Sequence, residues 1–293
     1  MTPWLPTHED PLIAQNNELV GGPAGSLRRE RQYWWSPIRV LVMLTAFGYA
    51  LGMWLDSSCR NSQWASPERY EHLCYTDIHP FYTIKGLADG LIPYLGNANP
   101  EQMIEAPVLV GMFMQISATI TRMIHGIWSH VDPSVLFYDV TTVLLFILLL
   151  ITVIATSLAA RNRPWDAAMV ALAPMMILAA TISWDLLAIC LVALAYLAHQ
   201  RDRLIVAGIL LGMALCAAHY PIAIVLAIVI LSMRTREWAV TGKLMAVTAV
   251  TWLLINLPFM LVHFDGWSII YRKLIDGGAE LGSVWYAITQ MGG

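Results

Sequence analysis

The residues with the clearest capacity for chemistry stand in one polar stretch, Cys74 to Tyr94, CYTDIHPFYTIKGLADGLIPY. Asp77 is the candidate general base within it: a carboxylate in reach of a hydroxyl can take up its proton as the oxygen attacks. Pro80 favours a helix start, which puts Asp77 near the N-cap of a helix running to Gly90. There, orphan backbone N–H groups and the helix dipole hold a carboxylate as the anion. The same pattern also fits an aspartate that caps the helix and does nothing more. Glu105, ahead of Pro107, reads either as the start of an interfacial helix or as a second carboxylate facing Asp77 across the loop.

Other ionisable groups fall near the ends of apolar segments: Asp139, Asp185 in SWDLL and His219 in AAHYP. Charge at such depth is costly and often functional. Asp185 also fits a helix cap. His219 also fits a neutral, satisfied histidine, against the alternative of a phosphate contact or proton shuttle. Tyr94, Trp64, Tyr70 and Tyr75 suit either an interfacial belt or stacking on a sugar ring. Cys59 and Cys74 flank the polar loop and are candidates for a disulfide if that loop faces an oxidising compartment. Cys190 and Cys216 lie in apolar stretches and read as small core residues. The chain has no P-loop, GxGxxG, HExxH or CxxC pair, and its histidines are not spaced as a metal set. The expectation is therefore no metal centre and no nucleotide hydrolysis.

The elements that must position these groups are membrane helices. Of 293 residues, 58% are hydrophobic and 13% charged, against about 25% charged in a soluble domain. The net charge of −3 and the lack of a basic, aromatic stripe give no reason to expect nucleic acid. Residues 1–36 read as a disordered cytoplasmic tail ending in the basic Arg28, Arg29 and Arg31, with no secretory signal. Apolar runs predict spans at about 37–55, 136–159, 166–182, 185–199, 204–218, 221–233 and 240–262. Lys and Arg concentrate in alternate connections, at Arg161/Arg163, Arg201/Arg203 and Arg234/Arg236/Lys243. The positive-inside rule puts those loops in the cytoplasm. It does so only if about 107–128 begins and ends outside, as a re-entrant or interfacial helix carrying Arg122, rather than crossing fully. The expected architecture is an all-α polytopic protein of the plasma (inner) membrane, with seven spans in the module 37–263 and its N-terminus inside. The external loop is 56–135 and the external C-terminal segment 264–293.

The string from Cys74 to Tyr94, followed by Glu105-Ala106-Pro107-Val108-Leu109, resembles C-type (GT-C) membrane glycosyltransferases of family 87 in their actinobacterial form. FYDVTTVLL, RPWDAAMVALAPMMILAATISWDLLAICL and GSVWY also look like that family, and the likeness covers about residues 35–290. It implies a seven-helix module with interfacial helices in the first external loop. It implies inverting transfer of a sugar, mannose or arabinose, from a polyprenyl-phosphate donor to an envelope glycan or glycolipid on the outer face. Asp77 becomes the general base, with Glu105 beside it. Lys85, Arg122, His219, Asp185, Tyr82 and Tyr94 become candidates for holding the sugar or the lipid phosphate. No cofactor is implied beyond the lipid-linked donor. Two departures stand out: Ala106 replaces a family tyrosine, and His219 replaces a family lysine before Tyr-Pro. Family members also carry several more helices after the GSVWY region, which implies either a truncated chain or a second membrane subunit that supplies the missing half. Rival readings are a transporter or lipid flippase, which internal repeats would mark, and a non-catalytic subunit of a membrane complex.

Overall fold

The computed structural model describes residues 36–72, 74–95, 102–160, 163–276 and 284–291. The tail expected over 1–36 lies outside the described residues, Ser36 excepted. Among the described residues all regular structure is helical. In chain order the helices are α1 (Pro37–Leu55), α2 (Ser57–Asn61), α3 (Glu68–Glu71), α4 (Ile78–Ile84), α5 (Val108–His125), α6 (Pro133–Ala159), α7 (Ala168–Ala171), α8 (Pro174–Ala179), α9 (Leu186–Gln200), α10 (Leu204–Leu215), α11 (Ile222–Thr235), α12 (Trp238–Val262), α13 (Phe264–Asp276) and α14 (Val284–Gln290).

Four of these, α1, α5, α6 and α12, are long and apolar enough to cross a membrane. The chain is thus an α-helical membrane protein. Their starts follow from local chemistry. Proline opens α1 and α6, where its missing N–H costs nothing. The Asp132 carboxylate caps α6, accepting from the N–H groups of Ser134 at 2.9 Å and Val135 at 3.1 Å, an arrangement worth about 1 kcal/mol.

Helix α6 is the axis of the molecule. Phe137, Tyr138, Leu145, Leu149 and Val153 along it are fully or almost fully buried, against α1, α4, α5 and α9. Helix α10 packs between α9 and α12. Helix α13 is tied to α12 by Trp267, whose indole N–H donates to Asn256 Oδ1 at 2.9 Å.

The structure departs from the sequence expectation in three places. The run 166–182 is not one helix: a 3₁₀ turn over Pro164–Ala167 leads into α7 and then α8. Pro174 has no N–H to donate and its ring would clash with the carbonyl four residues back. Ala173 before it is accordingly extended, at ψ 128°. Next, α9, α10 and α11 have 15, 12 and 14 residues, or about 22, 18 and 21 Å at 1.5 Å per residue. Each is shorter than a hydrocarbon core of about 30 Å. Finally, the helix expected over 80–90 ends at Ile84, because Gly86 and Gly90 adopt φ of +67° and +80°, a region glycine enters without steric cost.

Two glycine pairs at four-residue spacing set the closest helix contacts. A Cβ on Gly52 would lie under 3.0 Å from the Ile177 carbonyl oxygen of α8, and one on Gly212 of α10 would lie 2.7 Å from the Thr248 carbonyl oxygen of α12. Small residues at this spacing let helix backbones approach inside a bilayer. A test separates this packing from helix propensity. Gly→Ala in a helix gains about 0.5–1 kcal/mol, whereas forcing an atom into a filled contact costs about 1–3 kcal/mol. Gly52→Ala should therefore lower the melting temperature of the detergent-solubilised protein. Gly242→Ala, where nothing lies within 4 Å, should leave it unchanged or raise it.

Candidate functional site

The stretch that carries Asp77 is fastened from both sides. Cys59 and Cys74 are joined by a disulfide, Cα to Cα 6.1 Å and 15 residues apart. Closing a loop of that length removes about 3 kcal/mol of unfolded-chain entropy. Trp64 sits under the bridge, donating its indole N–H to the Cys74 carbonyl at 2.9 Å. Its ring lies 4.5 Å from that of Tyr138 and 4.8 Å from that of His79. On the other side, Thr76 Oγ1 donates to the Thr181 carbonyl at 2.8 Å and the Asp77 N–H donates to the Ile182 carbonyl at 3.0 Å. Thr181 and Ile182 belong to the non-helical link between α8 and α9.

Asp77 immediately precedes α4, as its spacing from Pro80 suggested, but its carboxylate does not cap the helix. Thr76 does so instead, its Oγ1 accepting from the Ile78 N–H at 3.2 Å. The Asp77 side chain, half-buried, accepts from the Tyr75 hydroxyl at 2.5 Å through Oδ1. That hydrogen bond, with some help from burial and from the charge of Asp77, pushes the Tyr75 phenol up to about 12. Tyr75 is therefore a neutral donor throughout the physiological range. Asp77 Oδ2 accepts no hydrogen bond among the described residues.

Beneath this stretch lies a residue that sequence reasoning passed over. Asp56, at the end of α1, accepts through one oxygen from Thr181 Oγ1 at 2.6 Å and from the Tyr138 hydroxyl at 2.9 Å. It ties α1 and α6 to the very link that holds Thr76 and Asp77. The available signal was its place as the first charge after the span at 37–55. Beside it, Arg60 donates from Nε to Asp139 Oδ1 at 2.7 Å and from Nη2 to Oδ2. The costly charge at Asp139 is thus paired.

Helix α4 separates Asp77 from a second polar group. Lys85, at its far end, is eight residues on, or about 12 Å along the axis. It is 8% exposed and donates to the Met103 carbonyl at 2.8 Å, with Glu105 Oε1 3.9 Å away. The other Glu105 oxygen accepts from Lys273 of α13. Glu105 is thus partnered by two lysines, and Asp77 by a tyrosine. Arg122 donates to the Leu87 carbonyl at 2.7 Å and to Thr119 Oγ1 at 3.1 Å. Tyr94 donates within reach of the Ala106 and Pro107 carbonyls, at 2.8 and 3.0 Å. Tyr82 is 2% exposed and stacks on Phe137 at 4.9 Å. These three side chains hold the loop and α5 in place.

The last two candidates lie next to the link that carries Asp77. Asp185 precedes α9 and accepts from Ser183 Oγ at 2.6 Å; its backbone carbonyl accepts from the Tyr220 hydroxyl at 3.3 Å. His219 meets Tyr271 of α13 edge-on at 5.6 Å, and its Nε2 is buried without a hydrogen-bond partner among the described residues. Burial lowers its pKa below the usual histidine value, so it is neutral at pH 7. A cavity of about 390 Å³ opens here, lined by Met175, Met176, Ala179, Ile182, Ser183 and Asp185 among others. Among the described residues no three His, Cys, Asp or Glu side chains converge to hold a metal ion.

The hub can be tested apart from any activity. Asp56→Ala leaves two hydroxyls without their acceptor, at about 1–3 kcal/mol for each buried group left unsatisfied. It should lower the melting temperature by more than Tyr138→Phe or Thr181→Val, each of which removes only one donor; equal losses in all three would contradict a shared acceptor. No family model, curated protein or solved structure matches the chain.

Proposed function

We propose that this chain is a polyprenyl-phosphate-dependent glycosyltransferase of the inner membrane, built on a seven-helix C-type module, with its site on the external face. The observation that carries this reading is Asp77: a carboxylate with a clamped backbone, one oxygen held by Tyr75 and the other without a hydrogen-bond partner among the described residues. That is the arrangement a general base needs, since it must be fixed in place yet keep a lone pair for the incoming proton. The disulfide beneath it supports an oxidising, external compartment for the loop. The sequence likeness supplies the reaction type.

In this mechanism an acceptor hydroxyl attacks the anomeric carbon while its proton passes to Asp77 Oδ2. The bond from that carbon to the lipid phosphate oxygen breaks with inversion, and the phosphate leaves with the electron pair. The donor's isoprenoid tail lies between helices, and the cavity beside Asp185 offers apolar space lined by Ile182, whose carbonyl accepts from the Asp77 N–H. Tyr75 keeps the base oriented and remains protonated. His219, neutral at pH 7, contributes to the leaving phosphate only as an N–H donor. Lys85 and Lys273 flank Glu105, so a phosphate that meets them shares them with that carboxylate, which makes Glu105 a competitor with the anion for its cations rather than a second base.

Membranes carrying the protein, supplied with radiolabelled polyprenyl-phosphate mannose or arabinose, test the proposal. Asp77→Asn should reduce transfer by about 10²–10⁴-fold while expression and donor binding persist. Tyr75→Phe, which frees the carboxylate to rotate, should reduce it less. Undiminished transfer by Asp77→Asn removes this residue from the mechanism.

A further inference from the structure

An apolar groove of about 670 Å³ runs between α9, α10 and α11, and the proposed chemistry does not use it. Its walls include Val192, Tyr196, Ala207, Leu211, Ala227 and Leu231. We infer that this groove is a binding site for an anionic bilayer phospholipid, with one acyl chain lying in the groove and the phosphate at the arginines around its mouth. The inference does not rest on the glycosyl-transfer reading.

Size argues for a hydrocarbon chain. The volume falls in the range of small-molecule sites, about 300–1,000 Å³. The wall that α11 contributes runs from Ala223 to Leu231, about 12 Å of helix. Along that length the lining offers an acyl chain methyl and methylene groups to meet.

Charge argues for the headgroup. The α11 stripe that lines the groove, Ile224, Ala227, Ile228 and Leu231, continues at helical spacing to Arg234. The α9 stripe ends at His199 and Gln200, and Arg201 and Arg203 follow at once. Arg236 and Lys243 stand on the same end, next to the junction of α11 and α12. Five cations face two acids there, Asp202 and Glu237. All four arginines are exposed, and none is in an ion pair among the described residues. Basic pockets between membrane helices bind anionic headgroups, and a guanidinium fork suits a phosphate oxygen pair.

Native mass spectrometry of the delipidated, detergent-solubilised full chain tests this, with phosphatidylglycerol and phosphatidylcholine of identical acyl chains as probes. Phosphatidylglycerol should be retained about tenfold more tightly. The surface double variant Arg203→Gln/Arg234→Gln should bring it to the phosphatidylcholine level without changing the melting temperature. Ala227→Trp, which fills the groove, should weaken retention of both lipids. Inorganic phosphate should not displace phosphatidylglycerol. Equal retention of the two lipids by the wild-type chain, or undiminished selectivity in the arginine variant, overturns the headgroup site. Displacement by inorganic phosphate alone, or full retention by a folded Ala227→Trp variant, overturns the chain in the groove.

Discussion

One carboxylate oxygen, Oδ2 of Asp56, receives two hydroxyl groups, from Tyr138 and Thr181, and the rest of the site is built on that meeting. A charge at the end of a membrane helix is tolerated only if its lone pairs are met. Here the donors come from the buried axis, α6, and from the link between α8 and α9. The link is then fixed enough to offer its own carbonyls, of Thr181 and Ile182, to Thr76 and Asp77. Thr181 and Ile182 follow the end of α8 at Ala179, where the last carbonyls of a helix have no internal partner, and Thr76 and Asp77 take up that free acceptor capacity. Irregular backbone at membrane depth persists where protein or a cavity satisfies it, and both are present here.

The same loop is electrostatically divided. At one end of α4 stands an acid with no cation among its named partners; at the other, Glu105 between Lys85 and Lys273. The helix acts as a spacer of about 12 Å between the Asp77 carboxylate and the ammonium group of Lys85. Helix α13 controls the second end, since it supplies Lys273 and, through Tyr271, the face against His219.

The all-helical class and the long spans were legible because they depend on local apolar runs: 37–55, 136–159 and 240–262 correspond to α1, α6 and α12. The position of Asp77 just before a helix was legible from Pro80. What could not be read were partners set by tertiary contact. Lys273 lies 168 residues from Glu105, and no spacing rule connects them. Thr76, not Asp77, meets the Ile78 N–H, while the Asp77 carboxylate accepts from Tyr75. Pro174 was visible as a residue a bilayer helix can tolerate as a kink; that it would stop the helix outright depended on what could receive the freed carbonyls. The helix expected over 80–90 stops at Ile84 because Gly86 turns the chain at φ +67°, a choice that glycine leaves open in sequence.

The Cys59–Cys74 bridge carries a consequence for biogenesis. Two thiols separated by 15 residues become joined only where an oxidant reaches them. A chain that keeps both cysteines reduced leaves the Trp64 anchor without its covalent clamp, so the oxidation of one pair of sulfurs and the fastening of the whole loop are a single event.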